Sequence, residues 1–404
     1  MQTQKIVWPA VFLTALFGMG ALLLWGISTV MGISAISTLF TKNSEALTSM
    51  IIAASAGFLG LVLLVAAIIA LLKIMGRETA EQNTHLPFAT WHIPVVLLIA
   101  AISIGVGGLL MGQHYLSVIF LPMLTLSGVI APLWIIMSVG TRRMELGPRW
   151  RAWSIFGLGM TLGPLLMMFL EVVVGVVILI GVIIYFAAQP ELANKMVQFS
   201  AQLQAASGPE QMLNLLAPYL LKPAAIVLVL TYTSLAIPMI EELFKPIGVW
   251  LFARQLKTPM AGFAMGILSG TAYALVENLG MTAQAGEDWS AIVIARAGAG
   301  LLHIANTGLM GWAIVSLVNE KRVARFFLTY IATVTFHGLW NGASVGLAIY
   351  SVAQELGKNY PWAAALSTAA LATLIVVFLA VLIVSNRKLG ASNKAESATP
   401  APSP

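Results

Sequence analysis

The stretch IPMIEELFKP, residues 237–246, places two adjacent glutamates, Glu241 and Glu242, and a lysine, Lys245, inside an apolar run over residues 223–253. A charged side chain at the centre of a lipid-facing helix costs about 2.5–3.5 kcal/mol on insertion scales. Carboxylates at that depth usually face a bundle interior or a wet cavity and serve a functional site. Lys245 lies one helical turn from both glutamates, so it can hold one of them charged and oriented.

Each of the next three apolar runs also carries polar residues. His337 and Asn341 are four residues apart and therefore share a helix face, and Arg296 and His303 share a face in the same way. At about 1.5 Å per residue, Glu242 and His337 fall near mid-bilayer, whereas Glu277 falls nearer the outer half and is expected only to support the others. The polar residues of these runs are Glu277 and Asn278, then Arg296, His303, Asn306 and Thr307, then His337 and Asn341.

A carboxylate and two imidazoles around an intramembrane pocket can activate water for hydrolysis. An imidazole and an asparagine amide one turn apart offer two donors to a developing oxyanion. Because adjacent residues point about 100° apart around a helix, only one of the two glutamates can serve as the base. Two Glu and two His could bind Zn²⁺, but no spacing demands a metal, so no cofactor is expected.

The composition decides what kind of element must position these residues. The chain has 404 residues, of which 59% are hydrophobic and only 9% are charged. Soluble domains carry about 25% charged residues, so the chain is expected to be an all-α, multi-pass membrane helix bundle in the lipid bilayer of the cell membrane. It has no cysteine, which excludes disulfides and thiol nucleophiles, and its net charge of +6 requires no nucleic-acid partner.

Ten membrane helices are predicted. Lys and Arg are concentrated in every second connection, and because basic connections lie on the cytoplasmic side, this pattern puts both termini in the cytoplasm. The first helix has no clear cleavage site and is expected to be retained as a membrane span. The predicted spans are residues 8–31, 50–72, 91–111, 115–138, 152–187, 222–253, 260–282, 291–317, 325–350 and 362–385.

Five regions follow along the chain. Residues 1–188 form an N-terminal five-helix membrane region of unknown role, and residues 189–222 form an external segment of two amphipathic helices. A catalytic four-helix core covers residues 223–350, and the last transmembrane helix covers residues 351–389. The remaining residues, 390–404, are rich in Ala, Ser and Pro and are expected to be a disordered tail.

Two local patterns indicate how the core is shaped. Pro238 and Pro246 bracket the two glutamates, and each removes a backbone donor and favours a kink that opens the helix. Gly262, Gly266 and Gly270 recur at every fourth residue, which allows another helix backbone to pack closely and position Glu277.

The segments EELFK, AYALVENLG, ARAGAGLLHIANTGLMG and FHGLWN, over about residues 235–345, resemble the four motifs of the PrsW family of intramembrane proteases. The resemblance implies a peptidase that cuts a membrane-anchored protein, such as an anti-sigma factor, near the membrane boundary. It implies that Glu241 or Glu242 is the base, with Glu241 favoured, and that His303 is the partner of the base. It also implies that His337 and Asn341 bind the oxyanion. Lys245, Glu277 and Arg296 are expected to support them.

Two other classes of function remain open from the sequence. Buried Glu, His and Lys also form proton relays in transporters and ion channels, but such proteins usually carry matching broken helices in their two halves. The first five predicted helices contain no counterpart of the paired glutamates, and Glu171 is their only deep acid. The third class is a non-catalytic membrane scaffold, in which the polar cluster only holds four helices together.

Overall fold

The computed structural model describes residues 8–41, 45–77 and 89–398, and every regular element among them is helical. The helices agree with the predicted apolar runs. They are α1 (Trp8–Thr38), α2 (Glu45–Ile74), α3 (His92–Leu110), α4 (His114–Gly140), α5 (Arg149–Met160), α6 (Leu162–Ala187), α7 (Pro190–Ala205), α8 (Pro209–Leu220), α9 (Pro223–Thr231), α10 (Ile237–Phe244), α11 (Ile247–Phe252), α12 (Pro259–Ala283), α13 (Trp289–Glu320), α14 (Val323–Glu355) and α15 (Pro361–Ala398).

Within the described residues, nine helical segments are long and apolar enough to cross a membrane. The ninth predicted span, residues 325–350, lies in α14, which has 33 residues but is not one of the nine segments. Helix α14 is less apolar than those nine segments because it carries Arg325, several threonines, His337 and Asn341 along its length. Large apolar side chains such as Leu109 and Leu328 are exposed, as expected for a surface that faces lipid. The chain is therefore a polytopic helical membrane protein.

Three predicted segments differ in detail from simple spans. The predicted span 152–187 is two helices, α5 and α6, which are interrupted at Thr161. The segment 189–222 contains the two predicted short helices, α7 and α8. Helix α15 continues to Ala398, into the predicted disordered tail, because residues 390–396 contain good helix formers and proline begins only at Pro400. The rest of the tail, 399–404, lies outside the described residues.

The chain forms two compact units. Unit 1 comprises Met1–Pro164, Lys245–Tyr330 and Phe378–Pro404, and unit 2 comprises Leu165–Phe244 and Ile331–Val377. The boundary between them passes through the polar stretch at residues 237–246, because Glu242 belongs to unit 2 and Lys245 to unit 1.

In unit 1, the antiparallel helices α12 and α13 pack with their backbones in close approach. A Cβ atom at Gly262 would meet the carbonyl of Gly311, and one at Gly266 would meet the carbonyl of Thr307. A Cβ atom at Gly270 would lie 2.7 Å from the carbonyl of His303. The predicted glycine stripe is confirmed, and it fixes which residues of α13 lie level with each turn of α12.

In unit 2, the apolar run that begins at Pro223 is an interrupted helix. Helix α9 leads into a π-helical turn, Tyr232–Ala236, and then into α10, which ends at Phe244. Pro246 follows the end of α10 and cannot donate a backbone hydrogen bond, so the chain turns before α11 begins. The break expected from the two prolines is confirmed, and π-helical turns of this kind frequently occur at functional sites.

Candidate active site

Helix α10 buries both glutamates in unit 2. The Glu242 side chain is fully buried and that of Glu241 is 8% exposed. His337 of α14 lies against both of them: its Nδ1 is 2.8 Å from Oε1 of Glu242, and its Nε2 is 3.9 Å from Oε2 of Glu241. Only the first contact is within hydrogen-bond distance, so His337 pairs with Glu242 and lies beside Glu241.

The π-helical turn explains the position of Asn341, the residue one turn beyond His337. In an α-helix the carbonyl of Thr233 would accept from the N–H of Ile237, but that N–H donates to Tyr232 instead. The next residue, Pro238, has no N–H to offer. Asn341 Nδ2 fills the gap by donating to the Thr233 carbonyl at 2.8 Å. We call Glu241, Glu242, His337, Asn341 and Thr233 the glutamate cluster.

Helix α14 approaches the π-helical turn closely because two glycines flank Asn341. A Cβ atom at Gly338 would meet the carbonyl of Ser234, and one at Gly342 would lie 3.3 Å from Ser234 Oγ. The same stretch, GASVG at 342–346, has the spacing of a serine-hydrolase nucleophile motif, G-x-S-x-G. It lies inside α14, however, and Ser344 Oγ donates to the carbonyl of Trp340 one turn earlier. It therefore forms no strand-to-helix turn of the kind that nucleophile requires.

Unit 1 contains a second buried polar group, centred on His303 of α13. Lys245 is fully buried, and its Nζ lies 2.8 Å from His303 Nδ1. On the other side of the ring, His303 Nε2 lies 2.6 Å from Oε2 of Glu277. The Tyr273 ring packs edge-on against His303, and Lys245 Nζ lies 5.0 Å from the centre of that ring, which stabilises the ammonium. The Lys245 carbonyl accepts from Ser269 Oγ at 2.6 Å.

Arg296 and Asn278 hold Glu277 from the far side. Arg296 Nη2 lies 2.6 Å from Oε2 of Glu277, and Arg296 Nε donates to Asn278 Oδ1 at 2.8 Å. Asn278 Nδ2 donates in return to the backbone carbonyl of Arg296 at 2.8 Å. We call Lys245, His303, Glu277, Arg296 and Asn278 the lysine cluster.

The partners of His303 define its tautomer. An ammonium group only donates hydrogen bonds, so Nδ1 of His303 must accept from Lys245. A neutral ring that accepts at Nδ1 carries its proton on Nε2, the nitrogen that lies 2.6 Å from Oε2 of Glu277. Each ring nitrogen of His303 thus has one charged neighbour.

The structure brings the predicted site residues into two sets, one in each unit. Glu277, expected nearer the outer half and in a supporting role, contacts His303 directly. Arg296, also expected to support the site, pairs with Glu277. Tyr273 and Thr233 were not among the predicted site residues. Asn278 was among the polar residues of its helix but was given no role at the site.

Glu241 and His337 of unit 2 are buried, and each offers one atom of a type that can bind a metal ion; the buried His303 of unit 1 offers another. Carboxylate oxygens and imidazole nitrogens are the donor types of many catalytic zinc sites, so the chemistry of these residues suits such an ion. The two ring nitrogens of His303 lie against Lys245 and Glu277.

The helical fold and the buried acid and imidazole groups define a multi-pass membrane protein with the groups needed for hydrolysis. The model of the PrsW family, described as intramembrane metalloproteases, matches residues 147–383. This match covers more than half of the chain and extends beyond the four motifs on both sides. The chain therefore belongs to the PrsW family of intramembrane proteases. Searches of curated proteins and of solved structures return no match.

Proposed function

We propose that the protein hydrolyses a peptide bond of a membrane-anchored protein in the cell membrane, using Glu241 to activate water. Membership of the PrsW family supports a peptidase. The observation that carries the mechanism is the burial of Glu241 and Glu242 beside His337, on a helix interrupted at both ends. An interrupted helix supports this role because irregular backbone within a membrane normally lines a cavity rather than facing lipid.

In the proposed reaction, Glu241 takes a proton from water as the water oxygen bonds to the carbonyl carbon of the scissile peptide. The carbonyl becomes an oxyanion, which accepts hydrogen bonds from Nε2–H of His337 and from the Asn341 N–H that does not bind Thr233. Glu242 holds the His337 ring in position through the contact with Nδ1. The carbon–nitrogen bond then breaks, and the departing amine receives the proton held by Glu241.

His303 is proposed to be the partner of the base, and Lys245 gives this role a physical reason. Lys245 follows Glu241 and Glu242 by four and three residues, so its positive charge lies in the same short stretch of chain as the two acids. Its hydrogen bond to Nδ1 fixes the orientation of the His303 ring.

Were a metal used, the carboxylate of Glu241 and the imidazoles of His303 and His337 are the groups whose chemistry suits it. A zinc ion would supply a Lewis acid and a bound water that loses its proton readily.

The substrate is proposed to be a membrane-anchored protein, because the acids are buried in apolar helices and a peptide bond must reach them there. An anti-sigma factor is the substrate type that the four motifs imply, and cleavage would occur near the membrane boundary.

The test compares host membranes that contain the wild type, Glu241→Gln or Glu242→Gln at matched levels. Mass spectrometry of membrane-protein fragments should find products that appear only with the wild type. Glu287→Gln is the matched control, since Glu287 is exposed and the chemical change is the same. Products lost in the site variants and kept in the control support proteolysis and identify a substrate. Identical fragments in all four membranes, with folded protein present, would contradict the proposal and favour transport or a scaffold.

A further inference from the structure

A cavity of about 440 Å³ lies among α2, α3 and α4 of unit 1, and none of its lining residues belongs to the lysine cluster. Two of the lining residues, Ile99 and Met123, are 44% and 66% exposed, so the cavity opens sideways, toward the lipid. We call it the lateral cavity. Its lining includes Phe58 of α2, Val96 and Ile99 of α3, and Met123, Ser127 and Trp134 of α4.

The lateral cavity is apolar. Among the described residues that line it, Ser127 carries the only hydroxyl group, and that group is used within the protein. Ser127 Oγ lies 2.7 Å from Ser103 Oγ and donates to the carbonyl of Met123 at 3.0 Å. A buried water needs about two to four polar partners, which this lining does not offer. The occupant in a membrane is therefore a hydrocarbon chain.

The dimensions of the lateral cavity distinguish an acyl chain from a helix. Met123 and Trp134 are eleven residues apart on α4, so the cavity extends about 16 Å along that helix. Its volume divided by this length gives a mean cross-section of about 27 Å². An α-helix is about 10 Å wide with its side chains, which is a cross-section roughly three times larger. The cavity can thus enclose one acyl chain but not a helix of another protein.

Aromatic rings close one end of the lateral cavity. The ring centroids of Trp134 and His92 lie 5.7 Å apart, and those of His92 and Trp91 lie 4.2 Å apart. Trp is typical of the level of the lipid headgroups. Nδ1 of His92 accepts from the Ala89 backbone N–H at 3.2 Å, so the proton of the neutral ring is on Nε2. No described residue accepts from Nε2, and a headgroup phosphate is an acceptor found at this level.

The same end of unit 1 carries basic side chains. Lys73, in the last turn of α2, has its Nζ 5.4 Å from the centre of the Trp150 ring at the start of α5, so the ends of α2 and α4 lie at one level. At these two ends the described residues include one acid, Glu145, and four basic residues. Those four are Lys73, Arg77, Arg142 and Arg143.

We propose that the lateral cavity binds one anionic phospholipid of the leaflet on the predicted cytoplasmic side. One acyl chain fills the cavity, and the phosphate accepts from His92 Nε2 beside the basic ends of α2 and α4. Each Lys or Arg near a membrane surface raises the affinity for anionic lipid about fivefold, which gives the site its headgroup preference. This binding site is separate from the proposed protease chemistry and can be measured without a substrate.

Three variants and one control test the site. Ile99→Trp fills the cavity, whereas Leu98→Trp, the control, changes a neighbouring residue of α3 that is also exposed but does not line the cavity. His92→Phe keeps an aromatic ring beside Trp134 and removes the donor to phosphate. Arg77→Gln removes one exposed positive charge.

The experiment is native mass spectrometry of the full-length protein in detergent, with dioleoylphosphatidylglycerol or dioleoylphosphatidylcholine added at equal concentrations. The wild type and Leu98→Trp should each retain one lipid and bind the anionic one at least about fivefold more tightly. Ile99→Trp should retain neither lipid. His92→Phe should bind both lipids about tenfold more weakly, because both carry a phosphate. Arg77→Gln should weaken only the binding of the anionic lipid, by about fivefold.

Equal lipid retention by Ile99→Trp and Leu98→Trp would place the lipid elsewhere and overturn the proposal. Equal affinity of the wild type for the two lipids would overturn the anionic headgroup. A wild-type dimer without retained lipid, which Ile99→Trp converts to a monomer, would assign the cavity to a second copy of the chain and also overturn it.

Discussion

The glutamate cluster and the lysine cluster each surround one buried histidine, but they surround it with opposite charges. His337 lies between two carboxylates, whereas His303 lies between an ammonium and a carboxylate. The first ring faces carboxylates at both nitrogens, whereas the second faces a cation at one nitrogen and a carboxylate at the other. The same residue type therefore has two different electrostatic environments.

The two clusters also differ in the helices that support them. The lysine cluster lies mainly on α12 and α13, whose backbones pack closely along the glycine stripe. The glutamate cluster lies on α10, which has eight residues between the π-helical turn and the break at Pro246. We infer that the first cluster is held rigidly by packing, while the second depends on individual hydrogen bonds such as that of Asn341.

The largest effect is expected from Glu241→Gln. A glutamine cannot accept the proton of the attacking water, so the fragment rate should fall about 10²–10⁴-fold. Glu242→Gln should have a smaller effect, because its amide oxygen can still accept from Nδ1 of His337. The measurement is the rate of fragment appearance in membranes with matched protein levels. A larger loss in Glu242→Gln than in Glu241→Gln would reverse the roles of the two acids.

Asn341→Ala should have the next largest effect on the fragment rate. Loss of an oxyanion donor lowers turnover about 10²–10³-fold. The same change leaves the Thr233 carbonyl without its partner, which should lower the free energy of unfolding by about 1–3 kcal/mol. Fragment rates and thermal unfolding in detergent separate the two effects.

Ser344→Ala is the control for Asn341→Ala. Ser344 lies on the same helix and uses its hydroxyl within that helix, so its loss should leave the fragment rate unchanged. If Asn341→Ala slows the reaction only in proportion to the unfolded fraction, Asn341 supports the π-helical turn and has no part in the chemistry.

Lys245→Met tests the difference between the two histidines directly. Without the ammonium, Nδ1 of His303 loses its donor, and the fragment rate should fall about 10–100-fold with insertion unchanged. The measurement is the rate of fragment appearance in membranes with matched protein levels. An unchanged rate in the folded variant would show that Lys245 has no part in orienting His303.

Much of this arrangement could be predicted from the sequence, since it depends on local patterns. Apolar runs located the helices, Pro238 and Pro246 indicated the break, and the glycine spacing indicated the close packing of α12. The π-helical turn at 232–236 could not be predicted, because it requires Asn341, more than 100 residues away, to satisfy the carbonyl that the turn leaves open.

The sequence analysis gave Glu277 a supporting role but did not identify His303 as its partner, and the reason is geometric. Gly270 lies level with His303, and Glu277 is seven residues farther along α12, or about 10 Å along the axis. Side chains lean toward the N-terminus of their own helix. Because α12 and α13 are antiparallel, Glu277 and His303 lean toward each other and close that distance. Counting residues from the helix ends ignores this direction.

The smallest effect is expected from glycine substitutions on α12, which change the packing that supports the lysine cluster and so the stability of the fold. In Gly266→Ala, the new methyl group would meet the carbonyl of Thr307, one turn from His303, so the two helices must separate slightly. Overpacking of this kind costs about 1–3 kcal/mol. Gly280 lies on the same helix, and no described atom lies within 4 Å of the position that a Cβ atom would take there. Gly280→Ala should therefore stabilise the helix by about 0.5–1 kcal/mol.

Two measurements on the two alanine variants test whether the lysine cluster is held by helix packing and the glutamate cluster by individual hydrogen bonds. They are thermal unfolding and NMR of the protein labelled with ¹⁵N-histidine. Gly266→Ala should lower the unfolding temperature and broaden the His303 signals, while those of His337 stay sharp, because His337 is held by Glu242 on α10. Gly280→Ala should leave both sets of signals unchanged. Equal broadening of both histidines in Gly266→Ala would mean that the two clusters share one support, and that the glycine stripe stabilises the glutamate cluster as well.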